Sequence, residues 1–422
     1  MNSHNSHGDL GKYSIGIGDR FGREARAQLR ALEIANEHGV FVTPVWNKSF
    51  REHSIIGTNP KHTREIIDMA VMESGWRDPY FMDADHINLK TVDLFAAYAD
   101  FFTIDVADSI GAKASGPDES AFLDAVRPLL GRVEIPGLRA PIQVSEKELA
   151  EISRKYLLPV KEAGKIYRHI CEKKGDLPFI TEISMDEALA PQSPTELLFI
   201  LAAIAQEGIP IRTIAPKFSG EFLKGIDYVG SVEKFALEFE QDLHVIAYAV
   251  RKFGLPASLK ISVHSGSDKF SLYPVIGKCI REFNAGLHLK TAGTTWLEEV
   301  LGLALSGDEG LRIARLIYRK AFERIDELSG PYETVIAIDR SKLPSPQTVE
   351  SWTGEQFAGA LRHDTSHPLY NLHLRQLVHI AFRIAAEMGN VYLKALESHS
   401  AVVGEAVTQN LWKRHIAPLF TE

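Results

Sequence analysis

The sequence predicts an α/β protein, a (β/α)8 barrel of the TIM type that carries a helical insertion and a C-terminal helical cap. Short segments rich in β-branched and aromatic residues alternate with longer segments of helical periodicity along most of the chain. Eight such strands can be identified, and most are followed by a helix. Polar and titratable residues follow the strands at their carboxyl ends, which is where the loops of a parallel barrel converge.

The composition excludes several classes of protein. The 422-residue chain has 45% hydrophobic and 24% charged residues, as in an ordinary soluble globular protein with a large core. Its 55 acidic residues outnumber its 47 basic residues and no basic run occurs, so neither a nucleic acid nor a membrane is expected as a partner. The two cysteines, Cys171 and Cys279, suit a reducing compartment. No signal-like apolar segment opens the chain and no run of about 18 apolar residues follows, so a cytoplasmic location is expected.

The eight predicted strands are short, as expected for a parallel barrel whose strands are buried on both faces. In chain order they are Tyr13–Ile17, Val40–Val45, Tyr80–Met82, Phe101–Ile104, Phe179–Ile183, Arg212–Ala215, Lys260–Val263 and Leu287–Leu289.

The helices between and after these strands end at recognisable stop signals. Gly39 and the sequence Asn284-Ala285-Gly286 each follow a helical segment, where a left-handed residue commonly terminates a helix. The helices predicted around the barrel are Glu24–Glu37, Thr63–Ser74, Thr91–Ala99, Pro194–Glu207, Val232–Phe253, Val275–Phe283, Trp296–Leu305 and Glu309–Leu328.

The regular spacing is interrupted at about residues 109–174. This segment predicts two or three helices separated by Pro-Gly turns, with Glu119–Leu130 and Glu146–Lys173 the clearest. We interpret it as an insertion or lid on a barrel that spans residues 1–330, although a separate small domain would give the same pattern. Residues 331–422 are expected to form a helical cap packed on the barrel. Its clearest helices are near Val349–Leu361 and Asn371–Ala395.

Three histidines are candidate metal ligands. The stretch Leu259–Trp296 contains two consecutive strands, each with a histidine near its carboxyl end, His264 and His288. His86 follows the third strand. Histidine beside carboxylate is typical of sites for Zn²⁺, Mn²⁺, Ni²⁺ or Co²⁺, and three protein ligands with open positions are typical of catalytic sites. We therefore predict that a divalent metal cation binds His86, His264 and His288. The alternative is that these are core histidines beside helix N-termini.

Two carboxylates are candidates for proton transfer. Asp85 and Glu182 lie at strand ends on opposite sides of the predicted barrel, where a perturbed pKa would suit a general acid or base. Asp85 could instead cap the following helix, and Glu182 could be a buried partner of Lys217.

Basic and hydroxyl side chains at the same strand ends could bind an anionic substrate. A lysine that forms a Schiff base is an alternative, but the neighbouring histidines favour metal chemistry. The substrate-binding candidates are Lys217, Ser265, Lys269, Lys290 and Thr291.

Five longer segments together resemble the tagaturonate epimerase family. They are PKFSGEFLKGIDYVG (Pro216–Gly230), SVHSGSDKFSLYP (Ser262–Pro274), GLHLKTAGTTWLEE (Gly286–Glu299), LRHD (Leu361–Asp364) and RHIAPLF (Arg414–Phe420). The resemblance implies a divalent-metal-dependent bacterial epimerase of hexuronate catabolism, related to ketose 4-epimerases, that interconverts D-tagaturonate and D-fructuronate. The assignments of the metal and proton-transfer residues rest on their strand-end positions as much as on this resemblance.

The implied reaction inverts a carbon that lies β to the ketone, so the carbonyl does not acidify its hydrogen. Oxidation by a bound nicotinamide would require a dinucleotide site, and Gly16-Ile17-Gly18 is too short a match for one. We therefore favour retro-aldol cleavage and re-addition. The alternatives are a metal-dependent barrel aldolase or ketose 3-epimerase that uses an α-proton shuttle, and a non-catalytic sugar-acid binding protein. The expected partner is a small sugar acid or ketose, and the sequence leaves a homo-oligomer open.

Overall fold

The computed structural model describes residues 9–421. Eight parallel strands form a closed barrel in the order β1-β10-β9-β8-β7-β4-β3-β2, which confirms the predicted barrel and all eight of its strands. Two further strands, β5 and β6, pair as a small antiparallel hairpin that the sequence did not predict. The strands are β1 (Tyr13–Ile17), β2 (Val42–Ser49), β3 (Phe81–Ile87), β4 (Phe101–Asp105), β5 (Gly131–Val133), β6 (Ile142–Val144), β7 (Ile180–Ser184), β8 (Thr213–Ala215), β9 (Lys260–His264) and β10 (Leu287–Lys290).

The barrel interior changes from apolar to polar along its axis. A small apolar cluster fills the amino-terminal end of the lumen; its members are Leu10, Val45, Phe81, Phe101 and Ile180. Polar and charged side chains occupy the layers above it. The register pairs His288 with Ser262, and Lys290 with His264, so His288 lies one layer below Lys290. A Cβ at Gly16 would lie 2.8 Å from Cγ of Lys290, so this glycine gives the lysine side chain its room.

Helices surround the barrel, and their termini follow local sequence signals. Ser193 and Glu196 form a capping box at the start of α7, with Pro194 as its first residue. The helices are α1 (Ala25–Glu37), α2 (Phe50–Ile56), α3 (Pro60–Ser74), α4 (Val92–Phe95), α5 (Gly116–Val126), α6 (Glu146–Lys174), α7 (Pro194–Gln206), α8 (Val232–Phe253), α9 (Tyr273–Glu282), α10 (Gly293–Leu305), α11 (Asp308–Glu323), α12 (Ile325–Ser329), α13 (Pro346–Glu350), α14 (Gly354–Leu361), α15 (Leu372–Ile380), α16 (Phe382–Met388), α17 (Asn390–Ser398), α18 (Ser400–Gln409) and α19 (Ala417–Phe420).

The segment at 109–174 contains α5, the β5–β6 hairpin and α6. Helix α6 connects β4 to β7, which are neighbours in the barrel, and packs against α7. Its apolar residues Ile152, Tyr156 and Val160 belong to the same hydrophobic cluster as the barrel wall. The long helix therefore has the position of a crossover helix, and whether the segment acts as a lid stays a prediction.

The C-terminal helices bury a second hydrophobic cluster against α10 and α11. Trp296 of α10 is fully buried in this cluster, and its indole nitrogen donates to the carbonyl oxygen of Val378 over 2.7 Å. The chain then returns to the barrel through α18, which packs against α1 and α10, a π-helical turn at Asn410–Ile416, and α19. Among the described residues, no helix combines the length and apolar character needed to cross a membrane.

Candidate active site

A β-bulge in β3 presents two adjacent side chains to the carboxyl end of the barrel. The pairing of β3 with β4 shifts register between Ala84 and Ile87, and His86 adopts a left-handed backbone conformation with φ of 52°. A regular strand would point Asp85 and His86 to opposite faces. The bulge re-aims the histidine, so that both side chains reach the same site.

His86, His264 and Asp186 form the candidate metal centre. Nε2 of His86 lies 3.5 Å from Oδ1 of Asp186, and Nδ1 of His264 lies 3.2 Å from Oδ2 of Asp186. One potential ligand atom from each residue lies within 4.8 Å of the others. Both of these nitrogens are buried, and neither makes a well-directed hydrogen bond to another described residue. The donor set and the two available nitrogens fit a divalent cation.

A carboxylate orients each of these two histidines through its other ring nitrogen. Nδ1 of His86 lies 2.9 Å from Oδ1 of Asp85, and Nε2 of His264 lies 2.8 Å from Oε1 of Glu182. Metal-binding histidines commonly have such a carboxylate partner, which fixes the ring and its tautomer. Asp85 and Glu182, predicted as proton-transfer residues, thus contact the proposed ligands directly.

Lys290 joins the carboxylates inside the barrel. Its Nζ lies 2.8 Å from Oδ2 of Asp83, 2.8 Å from Oδ1 of Asp85 and 3.2 Å from Oε1 of Glu182. Nζ also donates to Oγ1 of Thr103 over 2.6 Å. The buried lysine that pairs with Glu182 is therefore Lys290 and not Lys217.

Burial and the Lys290 charge have opposite effects on the pKa values of these carboxylates. Burial alone would raise the pKa values of Asp85 and Glu182, but Lys290 and the adjacent histidines hold both well below the usual range. For Asp83, burial outweighs Lys290 and raises the pKa to about 6. Asp85 and Glu182 are consequently ionised at neutral pH.

The two histidines of the candidate metal centre favour a positive charge. Burial opposes that charge on His264, yet the Asp186 carboxylate raises the pKa of its imidazole to about 9. Burial also opposes protonation of His86, and Asp85 and Asp186 nevertheless raise its pKa well above the usual value. A proton or a divalent cation can supply the charge that this arrangement favours.

The third predicted ligand lies apart from this cluster. His288 is fully buried in the lumen, with Nδ1 2.8 Å from Oγ of Ser14 and its ring 5.3 Å from that of Phe101. Burial lowers the pKa of His288 to about 3, so it is a neutral imidazole. The structure brings His86 and His264 together, with ring centroids 5.4 Å apart, and places His288 in a lower layer of the barrel.

The predicted substrate-binding residues are mostly engaged within the protein. Nζ of Lys269 is buried and donates to the carbonyl oxygens of Leu223 and Ile226 over 3.0 and 2.8 Å. Oγ of Ser265 donates to the carbonyl oxygen of Lys290, and Oγ1 of Thr291 lies 3.2 Å from that of Thr294. Lys217 is half-buried after β8, where its backbone N–H donates to Gln192. Their binding of substrate stays a prediction.

Asp186 is the residue of the site that the sequence reasoning missed. It follows β7 by two residues, in the sequence Ser184-Met185-Asp186. Asp186 fits the same pattern of a polar residue just beyond a strand, but the prediction for this strand names only Glu182. The signal that identifies it is a carboxylate within a few residues of the carboxyl end of β7.

Several segments that resemble the family converge on one buried carboxylate at the loop after β9. Asp268 accepts hydrogen bonds from Nη2 of Arg375 over 2.5 Å and from Oγ1 of Thr294 over 2.8 Å. Nε2 of His415 and Nδ1 of His363 lie 3.1 and 3.3 Å from its oxygens. Three of these four partners come from the C-terminal helical region, so this cluster attaches that region to the active-site loops.

Comparison with known proteins relates both the sequence and the fold to one family. The chain is 28% identical over 419 residues to the tagaturonate/fructuronate epimerase of Thermotoga maritima, covering 96% of this chain and 80% of the relative. Crystal structures of the fructuronate-tagaturonate epimerase of Cohnella laeviribosi superpose with TM-scores of 0.78 (glycerol complex) and 0.77 (native), each at 23% identity over 97% of this chain and 81% of the other. A family model described as tagaturonate epimerase matches residues 6–416. The chain therefore belongs to the tagaturonate epimerase family.

Proposed function

We propose that this protein interconverts D-tagaturonate and D-fructuronate, with His86, Asp186 and His264 holding a divalent cation. Family membership supports the substrate pair. The observation that carries the chemistry is the convergence of two buried imidazole nitrogens and one carboxylate at the carboxyl end of the barrel. Three ligands leave coordination positions open for substrate oxygens. This set replaces the predicted third ligand, His288, with Asp186.

The proposed reaction breaks and re-forms one carbon–carbon bond. A base removes the proton from the hydroxyl of the inverted carbon, and the bond to the carbon α to the ketone then breaks. Its electron pair passes to the ketone fragment as an enediolate, while the inverted carbon becomes an aldehyde. The aldehyde turns to present its other face, the enediolate adds to it, and the alkoxide recovers a proton. A bound divalent cation would supply Lewis-acid stabilisation of the oxygen charge.

Asp85 and Glu182 are suited to the proton transfers. Both lie beside the proposed ligands, and Oε2 of Glu182 is buried without a hydrogen-bond partner among the described residues. A carboxylate oxygen of this kind can accept the hydroxyl proton and return it after re-addition. The same two residues orient His86 and His264, so proton transfer and cation binding are coupled through them.

The experiment that tests this function is a metal analysis of the purified protein combined with proton NMR of D-tagaturonate incubated with it. We expect about one divalent cation per chain and the appearance of D-fructuronate. A fully metal-loaded protein that binds D-tagaturonate without converting it would support a sugar-acid binding protein instead. Conversion to two smaller fragments would support an aldolase.

A cytoplasmic location and a small-molecule partner complete the proposal. Cys171 and Cys279 are both free, as is usual in a reducing compartment. Fractionation of cells that express the protein would test its location.

A further inference from the structure

The proposed substrate has a carboxylate that needs a binding partner. After cleavage this carboxylate belongs to the three-carbon aldehyde fragment, which has to stay bound while it turns. Lys290 cannot easily serve, because three carboxylates of the protein already surround it. Lys269 is held by backbone carbonyls. A cationic group outside the predicted set, near the mouth of the barrel, is therefore a stronger candidate than either of these two lysines.

Arg51 and Lys224 are two such groups, and both contact the same aromatic ring. Cζ of Arg51 lies 5.3 Å from the ring centroid of Tyr332, and Nζ of Lys224 lies 5.9 Å from it. Arg51 is exposed and Lys224 is half-buried. Among residues 9–421, no carboxylate lies within 4.0 Å of either side-chain nitrogen group, so both charges are available to a ligand.

Their positions in the fold place these cations at the carboxyl end of the barrel. Arg51 follows β2 by two residues, and Ser49 at the end of that strand pairs with Asp85 of β3. Lys224 lies on the loop after β8, and its backbone N–H donates to the carbonyl oxygen of Val335 over 2.8 Å. Tyr332 belongs to the C-terminal region. The first turn of α2, the loop after β8 and the C-terminal region thus meet around the pair.

The neighbouring charges leave a local excess of positive charge. Arg20 lies close by, but its guanidinium is paired with Glu52. Burial lowers the pKa of Lys224, and the charges of Arg51 and Arg20 lower it further, while Glu52 and Glu187 act in the opposite direction. Glu187 adjoins Asp186 of the candidate metal centre. An anion bound between Lys224 and Arg51 would offset the mutual repulsion of these cations.

We propose that Arg51 and Lys224, with Tyr332 beneath them, form the subsite for the substrate carboxylate. The subsite rests on the proposed epimerase function for the identity of its ligand. It anchors the carboxylate end of the sugar acid at the mouth, while the ketone end faces His86, Asp186 and His264. During retro-aldol cleavage the same contact retains the aldehyde fragment.

The test compares an anionic and a neutral three-carbon probe. D-glycerate and glycerol are measured as ligands of the metal-loaded full-length protein by calorimetry, and as inhibitors of the epimerase reaction. The variants are Lys224→Met and Arg51→Met. Lys234→Met is the control, because it removes the same charge from an exposed position of α8, where the lysine lies 3.8 Å from Glu238. KM is also measured for D-tagaturonate and for the neutral ketose D-tagatose.

We expect each subsite variant to weaken D-glycerate binding and to raise KM for D-tagaturonate by about 10- to 100-fold, the usual effect of losing a charged hydrogen bond. Glycerol binding and the kinetics with D-tagatose should change less than about twofold, and the control variant should resemble the wild type. Equal effects on anionic and neutral ligands would overturn the subsite, as would wild-type protein without preference for glycerate over glycerol. The calorimetric comparison does not require turnover, so failure of the epimerase function alone would leave the glycerate preference intact and measurable.

Discussion

Nζ of Lys290 at the end of β10 lies 2.8 Å from Oδ1 of Asp85 in β3, across the lumen of the barrel. Asp85 in turn holds His86, and Glu182, another partner of Lys290, holds His264. The lysine therefore connects the two carboxylates that orient the histidines of the candidate metal centre. Its ammonium stabilises a buried group of negative charges that the barrel could not otherwise keep ionised.

Replacing Lys290 with methionine should destabilise the protein and abolish activity towards both uronate and neutral ketose. The change leaves Asp83 buried without a counter-charge and removes the cation that Asp85 and Glu182 share. Removal of one partner of a buried ion pair typically costs about 3–5 kcal/mol. Urea unfolding would measure the stability loss. Lys260→Met is the control, since the Nζ of this buried lysine donates to the backbone oxygens of Gly11 and Lys12 near the other end of the lumen and, within residues 9–421, forms no ion pair. A KM effect confined to the uronate, with normal stability, would instead support direct binding of the carboxylate by Lys290.

The barrel itself could be predicted because its strands are short apolar runs bounded by turn signals. β1 and α8 have the predicted bounds, and the other barrel strands differ mainly by extending into their polar ends. The sequence does not predict helix α2, because this helix follows β2 with no intervening loop and its N-cap, Ser49, is the last residue of the strand. The predicted helix Thr91–Ala99 shortens to α4, Val92–Phe95. Periodicity locates elements, whereas such junctions depend on tertiary packing.

A second prediction distinguishes the third ligand predicted from the sequence, His288, from the one proposed from the structure, Asp186. Asp186→Ala should lose most of the bound metal and nearly all activity, because two imidazoles alone form a weak site. His288→Asn should retain the metal, since this residue lies a layer below and faces Ser14. Metal content after reloading, measured by elemental analysis, would check both. Full metal content in Asp186→Ala together with loss in His288→Asn would reinstate the histidine triad.

The sequence could identify which residues face the lumen but not their depth along the barrel axis. Alternation places both His288 and Lys290 inside, yet only the strand register shows that His288 lies one layer lower. For His86, alternation fails, because the bulge turns it towards the site beside Asp85. Asp186 lies in a loop whose path no periodicity describes. Depth, bulges and loop paths are therefore the properties of this site that required the structure.

A third prediction concerns the pH dependence of stability. Burial and the nearby Asp19 raise the pKa of Glu24 from 4.5 to about 8. Between these pH values the Glu24 carboxyl keeps its proton in the folded state and loses it in the unfolded chain. The contribution of this carboxyl to the free energy of unfolding is therefore complete below about pH 4.5. It is lost as the pH rises towards 8. The slope is at most about 1.4 kcal/mol per pH unit. In Glu24→Gln this dependence should vanish.

Urea unfolding of the wild type and Glu24→Gln at pH 5.5 and pH 8 would measure this difference. The variant should gain stability relative to the wild type at the higher pH. Glu37→Gln, with an exposed carboxyl at the end of the adjacent helix α1, is the control and should show no such gain. Parallel stability curves for the wild type and Glu24→Gln would contradict the raised pKa.

The last prediction concerns the bond that breaks. In the retro-aldol reaction the hydrogen on the inverted carbon is never removed, so product formed in deuterated water should contain no solvent deuterium at that carbon. A ¹³C isotope effect at both carbons of the cleaved bond, without a primary deuterium effect at the inverted carbon, would accompany this absence of deuterium.

Glu182→Gln should keep the metal while kcat falls by roughly 10²- to 10⁴-fold, the usual scale for a lost general acid or base. An α-proton shuttle would introduce deuterium at the carbon next to the ketone, and an oxidoreductive route would require bound nicotinamide. Solvent deuterium at the inverted carbon would rule out retro-aldol cleavage whatever the variants do, because carbon–carbon cleavage and re-addition leave that carbon–hydrogen bond intact.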